Sequence, residues 1–145
     1  MSIATASPFT IEMADKVLPL VEQIVRDLVE SMQEIQEKSQ EARKASESES
    51  PASAKKIEEL KNEVANVERR SSELVIELMN LSDKLHLSLK LQIYGEKVCV
   101  DFPIRMNGRP AYACWSLGEP RIGWWHPPAT KDNTDPCSPR IRLPA

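Results

Sequence analysis

Four residues in the last third of the chain are of metal-ligand type: Asp101, Cys114, Glu119 and His126. A thiolate, an imidazole and carboxylates together form a donor set for zinc. Their spacing follows no known zinc pattern. Cys114 is also a candidate nucleophile, which would need a base or cation beside it to form the thiolate. Arg121 would favour that ionisation and Asp101 would oppose it, and no His is placed to help. A third grouping is Tyr112, Trp124 and Trp125 with Arg105, Arg109 and Arg121. Exposed rings and arginines of this kind stack and neutralise single-stranded nucleic acid, but acidic neighbours weaken that reading.

What these residues do together depends on the strands that carry them. Asn107-Gly108 is a two-residue hairpin signal. It pairs Met106 with Arg109, Arg105 with Pro110, Pro103 with Tyr112, and Asp101 with Cys114. Alternate pairs of an antiparallel ladder exchange no hydrogen bonds. Both prolines fall at such pairs, where a missing N–H costs nothing. Leu117-Gly118 is expected to form a second tight turn, pairing Cys114 with Arg121 and Trp115 with Pro120. One face then carries Val98, Val100, Phe102, Ile104, Ala111, Ala113, Trp115, Ile122 and Trp124, a nearly unbroken apolar surface. The opposite face carries Cys99, Asp101, Arg105, Tyr112, Cys114, Arg121 and Trp125. In this register an Asp101–Arg121 ion pair lies over Cys114. His126 falls near Arg109, and at ~3.3 Å per residue that is roughly 16 Å from Asp101, too far for one metal ion.

The cap follows two long helical patterns. Thr10 caps the first, with Phe9 placed as a hydrophobic staple. Its apolar seam is Ala14, Val17, Val21, Ile24, Leu28, Ser31 and Ile35, with a kink expected between Asp15 and Pro19. Residues 46–53 are a Ser/Glu/Pro tip. The second helix starts near Ala54, with the seam Ile57, Leu60, Val64, Val67, Ser71, Leu74, Leu78, Leu81 and Leu85. Ser31 and Ser71 face each other if the hairpin turns near Pro51. Leu18, Val25, Val29 and Met32, with Val75, Ile76 and Met79, exceed what a two-helix seam needs and call for cover by the cap, a second copy of the chain, or both. Val25, Val29, Met32, Val75 and Met79 motivate the expectation of a homodimer with a four-helix base. Leu85, Leu87, Leu89, Leu91 and Ile93 alternate with polar residues, which predicts a strand.

The expected architecture is α+β: a long antiparallel two-helix hairpin, coiled-coil-like, packed on a small antiparallel β-sheet cap. It forms one domain, with the hairpin at 10–88, the cap at 89–126 and an irregular tail at 127–145. Residues 1–94 carry 12 Lys+Arg against 17 Asp+Glu, and residues 95–145 carry 7 against 5. Neither half is basic enough for a nucleic-acid footprint. The three Cys, at 99, 114 and 137, include no C-x-x-C pair, and no apolar run reaches membrane-spanning length. Reduced thiols in a cytoplasmic protein is the expectation, with no cofactor and no membrane partner.

The segments VCVDFP (98–103), NGR (107–109) and CWSLGEPRIGWWH (114–126), with FTIEMADKVLPLVEQIV (9–25) at the start, resemble a bacterial family catalogued as domain of unknown function 2203. Val98 stands where that family has Gly. The family's Gly-Phe…Gly-Arg ending is replaced by ATKDNTDPCSPRIR, which offers Arg140 or Arg142. The resemblance implies the helical start and the cap motifs, and no activity. The residues together favour a non-enzymatic protein-interaction or scaffold module. Its polar face would be Asp101, Arg105, Tyr112, Cys114, Glu119, Arg121, Trp125 and His126. The alternatives are a small metal-binding protein or enzyme using Asp101, Cys114, Glu119 and His126, or a single-stranded nucleic-acid-binding accessory protein.

Overall fold

A computed structural model describes residues 10–86, 88–94, 97–128 and 140–144. Phe9, Leu87 and Cys137 lie outside the described residues. Helix α1 spans Ile11–Ala45 and α2 spans Pro51–Lys84; strands β1 (Lys90–Tyr94), β2 (Lys97–Met106), β3 (Arg109–Ser116), β4 (Trp124–His126) and β5 (Ile141–Arg142) follow. The α+β class is as expected. The chain divides into two compact units, Gln23–Leu78 and Met1–Glu22 with Met79–Ala145.

Local chemistry sets the helix ends. Thr10 caps α1, its Oγ1 accepting the Met13 N–H at 3.1 Å. The helix continues through Pro19 to Ala45. Ser50 caps α2 by accepting the Ser53 N–H at 3.1 Å. Pro51 then occupies the first helical position, where its missing N–H has no partner to lose. That is why α2 begins three residues before the expected Ala54.

Within the helical unit the two helices run antiparallel. Lys38 pairs with Glu63 at 3.0 Å, Lys56 with Glu41 at 3.6 Å, and Arg70 with Glu34 at 3.8 Å. These exposed pairs contribute little each, but they share a register that sets Ser31 level with Ser71. The hydrogen bond to Glu63 holds the Lys38 ammonium above its ordinary pKa. Buried apolar side chains include Ile24, Leu28, Leu60, Val67 and Leu78. Ser31 is buried and turns its Oγ back to Asp27 O at 3.0 Å, while the buried Ser71 Oγ has no hydrogen-bond partner among the described residues.

The other unit holds a five-stranded antiparallel sheet in the order β1-β2-β3-β4-β5. Asn107 and Gly108 both take positive φ, 54° and 79°, the conformation a two-residue I′ hairpin demands. The β2–β3 register is the expected one throughout, from Met106↔Arg109 to Cys99↔Ser116. Val98, Val100, Phe102, Ala111, Ala113 and Trp115 on one face are all buried.

Three differences from expectation have local causes. The alternation beginning at Leu85 does not start a strand there: α2 holds to Lys84, His86 takes φ 54°, and Ser82 Oγ accepts the Leu89 N–H at 3.1 Å. The second turn is not a tight hairpin. Leu117 stands in first place, where both I′ and II′ geometry need a positive φ that leucine disfavours, whereas Gly118 in second place fits a type II turn. Gly118 has φ 104°, and Glu119 N bonds Ser116 O at 3.0 Å. The chain therefore runs through an irregular connection and re-enters the sheet only at Trp124. Lastly, the end of the tail is not wholly irregular, because β5 pairs with β4.

Replacing Ser71 by Ala removes a buried hydroxyl without breaking a bond. Ser71→Ala is expected to leave stability unchanged or raise it by about 1 kcal/mol, measured as the urea midpoint at constant slope.

Candidate functional site

The polar face of the sheet is built by three adjacent strands. Asp101 on β2 lies directly opposite Cys114 on β3. On β4, Trp124 is opposite Cys114 and His126 is opposite Tyr112. Paired residues share a face and next-but-one residues on neighbouring strands meet diagonally. His126 therefore projects beside Cys114 and Asp101. The expected 16 Å separation is overturned: one ligand atom from each of Asp101, Cys114 and His126 lies within 4.8 Å of the others.

The β3–β4 register differs from the expected one by three residues, an odd number. An odd slip moves every side chain of a strand to the opposite face. Trp124, expected in the apolar core, joins the polar face. Trp125, expected on the polar face, lies opposite Ala113 on the other one. There it lines an open pocket with Met106, Arg109, Pro110, Pro127 and Pro128. Arg121, expected to cover Cys114, is exposed in the connection before β4. It is not the partner of Asp101.

The cluster is sealed. Asp101, Cys114 and His126 are 1%, 0% and 3% exposed. Gln92 on β1 donates its side-chain N–H to Asp101 Oδ2 at 2.9 Å. His126 Nδ1 lies 2.9 Å from Pro127 O. A carbonyl oxygen only accepts, so Nδ1 carries the proton, and in the neutral ring Nε2 presents its lone pair. That Nε2 stands 3.1 Å from Asp101 Oδ2, yet the two are not aligned as a hydrogen bond. Nε2 and Asp101 Oδ1 are both buried without hydrogen-bond partners among the described residues. Tyr112 flanks the imidazole, with ring centroids 5.5 Å apart, and its hydroxyl accepts from Lys90 Nζ at 2.9 Å. Cys99 and Cys114 are not in a disulfide, and Cys99 Sγ is 3.2 Å from Ser116 Oγ.

The remaining expected residues serve the frame. Glu119 Oε1 accepts the Ser116 N–H at 2.6 Å and Arg140 Nη2 at 2.9 Å. Trp115 Nε1 donates to Glu119 O at 2.9 Å. Arg105 donates to Gly108 O across the hairpin turn at 3.1 Å. Sequence reasoning did not place Gln92 or Arg140 in the cluster's surroundings. Arg140 also reaches Cys114 O at 3.3 Å and lies over the Trp124 ring at 5.0 Å. Burial opposes its charge, but the hydrogen bond to Glu119 and the nearby Cys114 and Glu119 charges win, and its pKa is raised. Trp124 and Tyr112 are thus already covered by Arg140, Arg142 and Lys90. That leaves less aromatic surface for stacking bases than the sequence suggests.

The frame and motifs define a family. Its model, described as an uncharacterised conserved protein (DUF2203), matches residues 7–131, and the chain belongs to it. Neither the curated proteins nor the solved structures contain a match. Among the described residues, no helix is long and apolar enough to cross a membrane.

Arg121 is exposed and makes no hydrogen bond or ion pair among the described residues, so Arg121→Ala is expected to change stability by less than about 0.5 kcal/mol. Glu119→Ala strands the Ser116 N–H and the Arg140 guanidinium, at a cost of about 1–2 kcal/mol after allowing for partial exposure. Thermal melts of the two variants side by side check both.

Proposed function

We propose that this chain is a non-enzymatic protein-interaction module that associates with a second copy of itself through helix α2. The observation that carries the reading is a run of exposed apolar side chains on that helix: Val75, Ile76 and Met79 are 37%, 56% and 61% exposed. Surface helices normally turn such residues toward a core. Of the other surplus apolar positions, Leu18 and Val25 are buried within the chain. They are already accounted for and need no partner.

Charge complementarity supports a second copy as the occupant. An antiparallel pair of α2 helices related by a two-fold axis near Ile76 apposes the Ile76 side chains. It also sets Arg69 of one copy against Asp83 of the other, and Glu68 against Lys84. All four charged residues are exposed. A two-fold axis repeats each pair, so the patch is complementary to itself. The sealing of Cys114 and His126 favours binding over catalysis, because a substrate of any size has no route to either group.

Light scattering is expected to give a dimer at micromolar concentration, and Ile76→Asp is expected to give a folded monomer. Arg69→Asp weakens association, and adding Asp83→Arg on the same chain restores it. A wild-type monomer throughout the micromolar range rejects the proposal.

A further inference from the structure

We infer that Asp101, Cys114 and His126 form a binding site for a zinc-class divalent cation inside the sheet. This goes beyond the interaction reading and does not depend on it. The three donors come from three consecutive strands, and their ligand atoms lie within 4.8 Å of one another. Zinc bonds of 2.0–2.3 Å put tetrahedral ligands roughly 3.3–3.8 Å apart. The widest pair therefore has to close by about 1 Å, within the reach of small side-chain rotations.

The second observation is the pair of orphaned atoms. Asp101 Oδ1 and His126 Nε2 are buried and have no hydrogen-bond partner among the described residues. Leaving buried polar atoms unpaired is costly. The imidazole is held for coordination, because its Nδ1–H is spent on Pro127 O, while its Nε2 stands 3.1 Å from Asp101 Oδ2 without the alignment of a hydrogen bond. A neutral metal-binding histidine is held in this way, by a backbone carbonyl on its other nitrogen. Gln92 does the same for the carboxylate, donating to Oδ2 and leaving Oδ1 for the ion.

Charge decides the class of ion. A carboxylate and a thiolate balance a divalent cation, so the filled site is neutral, as a buried site needs to be. The Cys114 thiol proton passes to solvent when the sulfur coordinates. A single sulfur with one nitrogen and one oxygen suits zinc or cobalt rather than magnesium or calcium, which take oxygen ligands. Three protein donors leave the fourth tetrahedral position to a water molecule.

The test uses the full chain, stripped of metal by a chelator under reducing conditions. Equimolar Co²⁺ is expected to give visible bands of a tetrahedral ion and a sulfur-to-cobalt charge-transfer band. In a Cys99→Ser/Cys137→Ser background, where Cys114 is the remaining thiol, the charge-transfer band persists. Adding Cys114→Ser abolishes the band. Gln92→Leu keeps the fold and weakens the affinity roughly ten- to hundredfold. His126→Gln and Asp101→Asn weaken it at least tenfold, with circular dichroism reporting whether each is folded. Zn²⁺ raises the wild-type melting temperature in proportion to the logarithm of its concentration, and Mg²⁺ and Ca²⁺ do not. Absence of equimolar uptake by wild-type protein of native dichroism overturns the inference. So does a charge-transfer band that survives Cys114→Ser, or a wild-type melting temperature that ignores Zn²⁺.

Discussion

A carboxylate sealed in the middle of a β-sheet is the constraint on which the cap depends. Asp101 is 1% exposed, and a charge so placed is costly unless its surroundings answer it. Each neighbouring strand contributes to the answer. From β1, Gln92 donates to Oδ2. From β3, Cys114 stands directly opposite. From β4, His126 approaches to 3.1 Å. The register of all four strands is tied to this one side chain, because a slip of one residue would swap it with Val100 or Phe102 and drive it into the apolar face.

The two ends of that arrangement were unequally legible in the sequence. The β2–β3 ladder could be written out because Asn-Gly admits essentially one turn geometry, and Pro103 and Pro110 test it independently. The β3–β4 ladder could not, although a signal was present. Leu-Gly puts leucine where a tight hairpin turn needs positive φ and glycine where a type II turn needs it, which argues for a type II turn and a longer connection. Reading it as a tight hairpin put β4 out by three residues. That parity error exchanged Trp124 with Trp125, paired Asp101 with Arg121, and set His126 apart from the cluster it completes. Gln92 was legible only as the polar half of an alternation, because its role depends on which strand flanks β2.

The helical unit shows the opposite balance. Its seams, its antiparallel sense and the level placement of Ser31 and Ser71 follow from three-four periodicity and from a polar tip. What periodicity does not give is coverage. Val25 and Val75 look equivalent as surplus apolar positions, yet Val25 is fully buried and Val75 is 37% exposed. Periodicity says which way a side chain points along a helix, whereas burial depends on what else packs there.

The C-terminal segment closes the argument about the site. Arg140 binds Glu119 Oε1, the atom that also holds the Ser116 N–H in the type II turn. It reaches Cys114 O and lies over Trp124 as well. One guanidinium is thereby joined to the turn before β4, to the strand carrying Cys114, and to the first residue of β4. The turn sets where β4 enters the sheet, and the entry point sets which residue stands beside Asp101. Arg140 thus secures the position of His126 without touching it. Its raised pKa gives the sign of the arginine's own pH effect: the guanidinium's share of the tie is present below the ordinary arginine range and is lost only as pH rises above it.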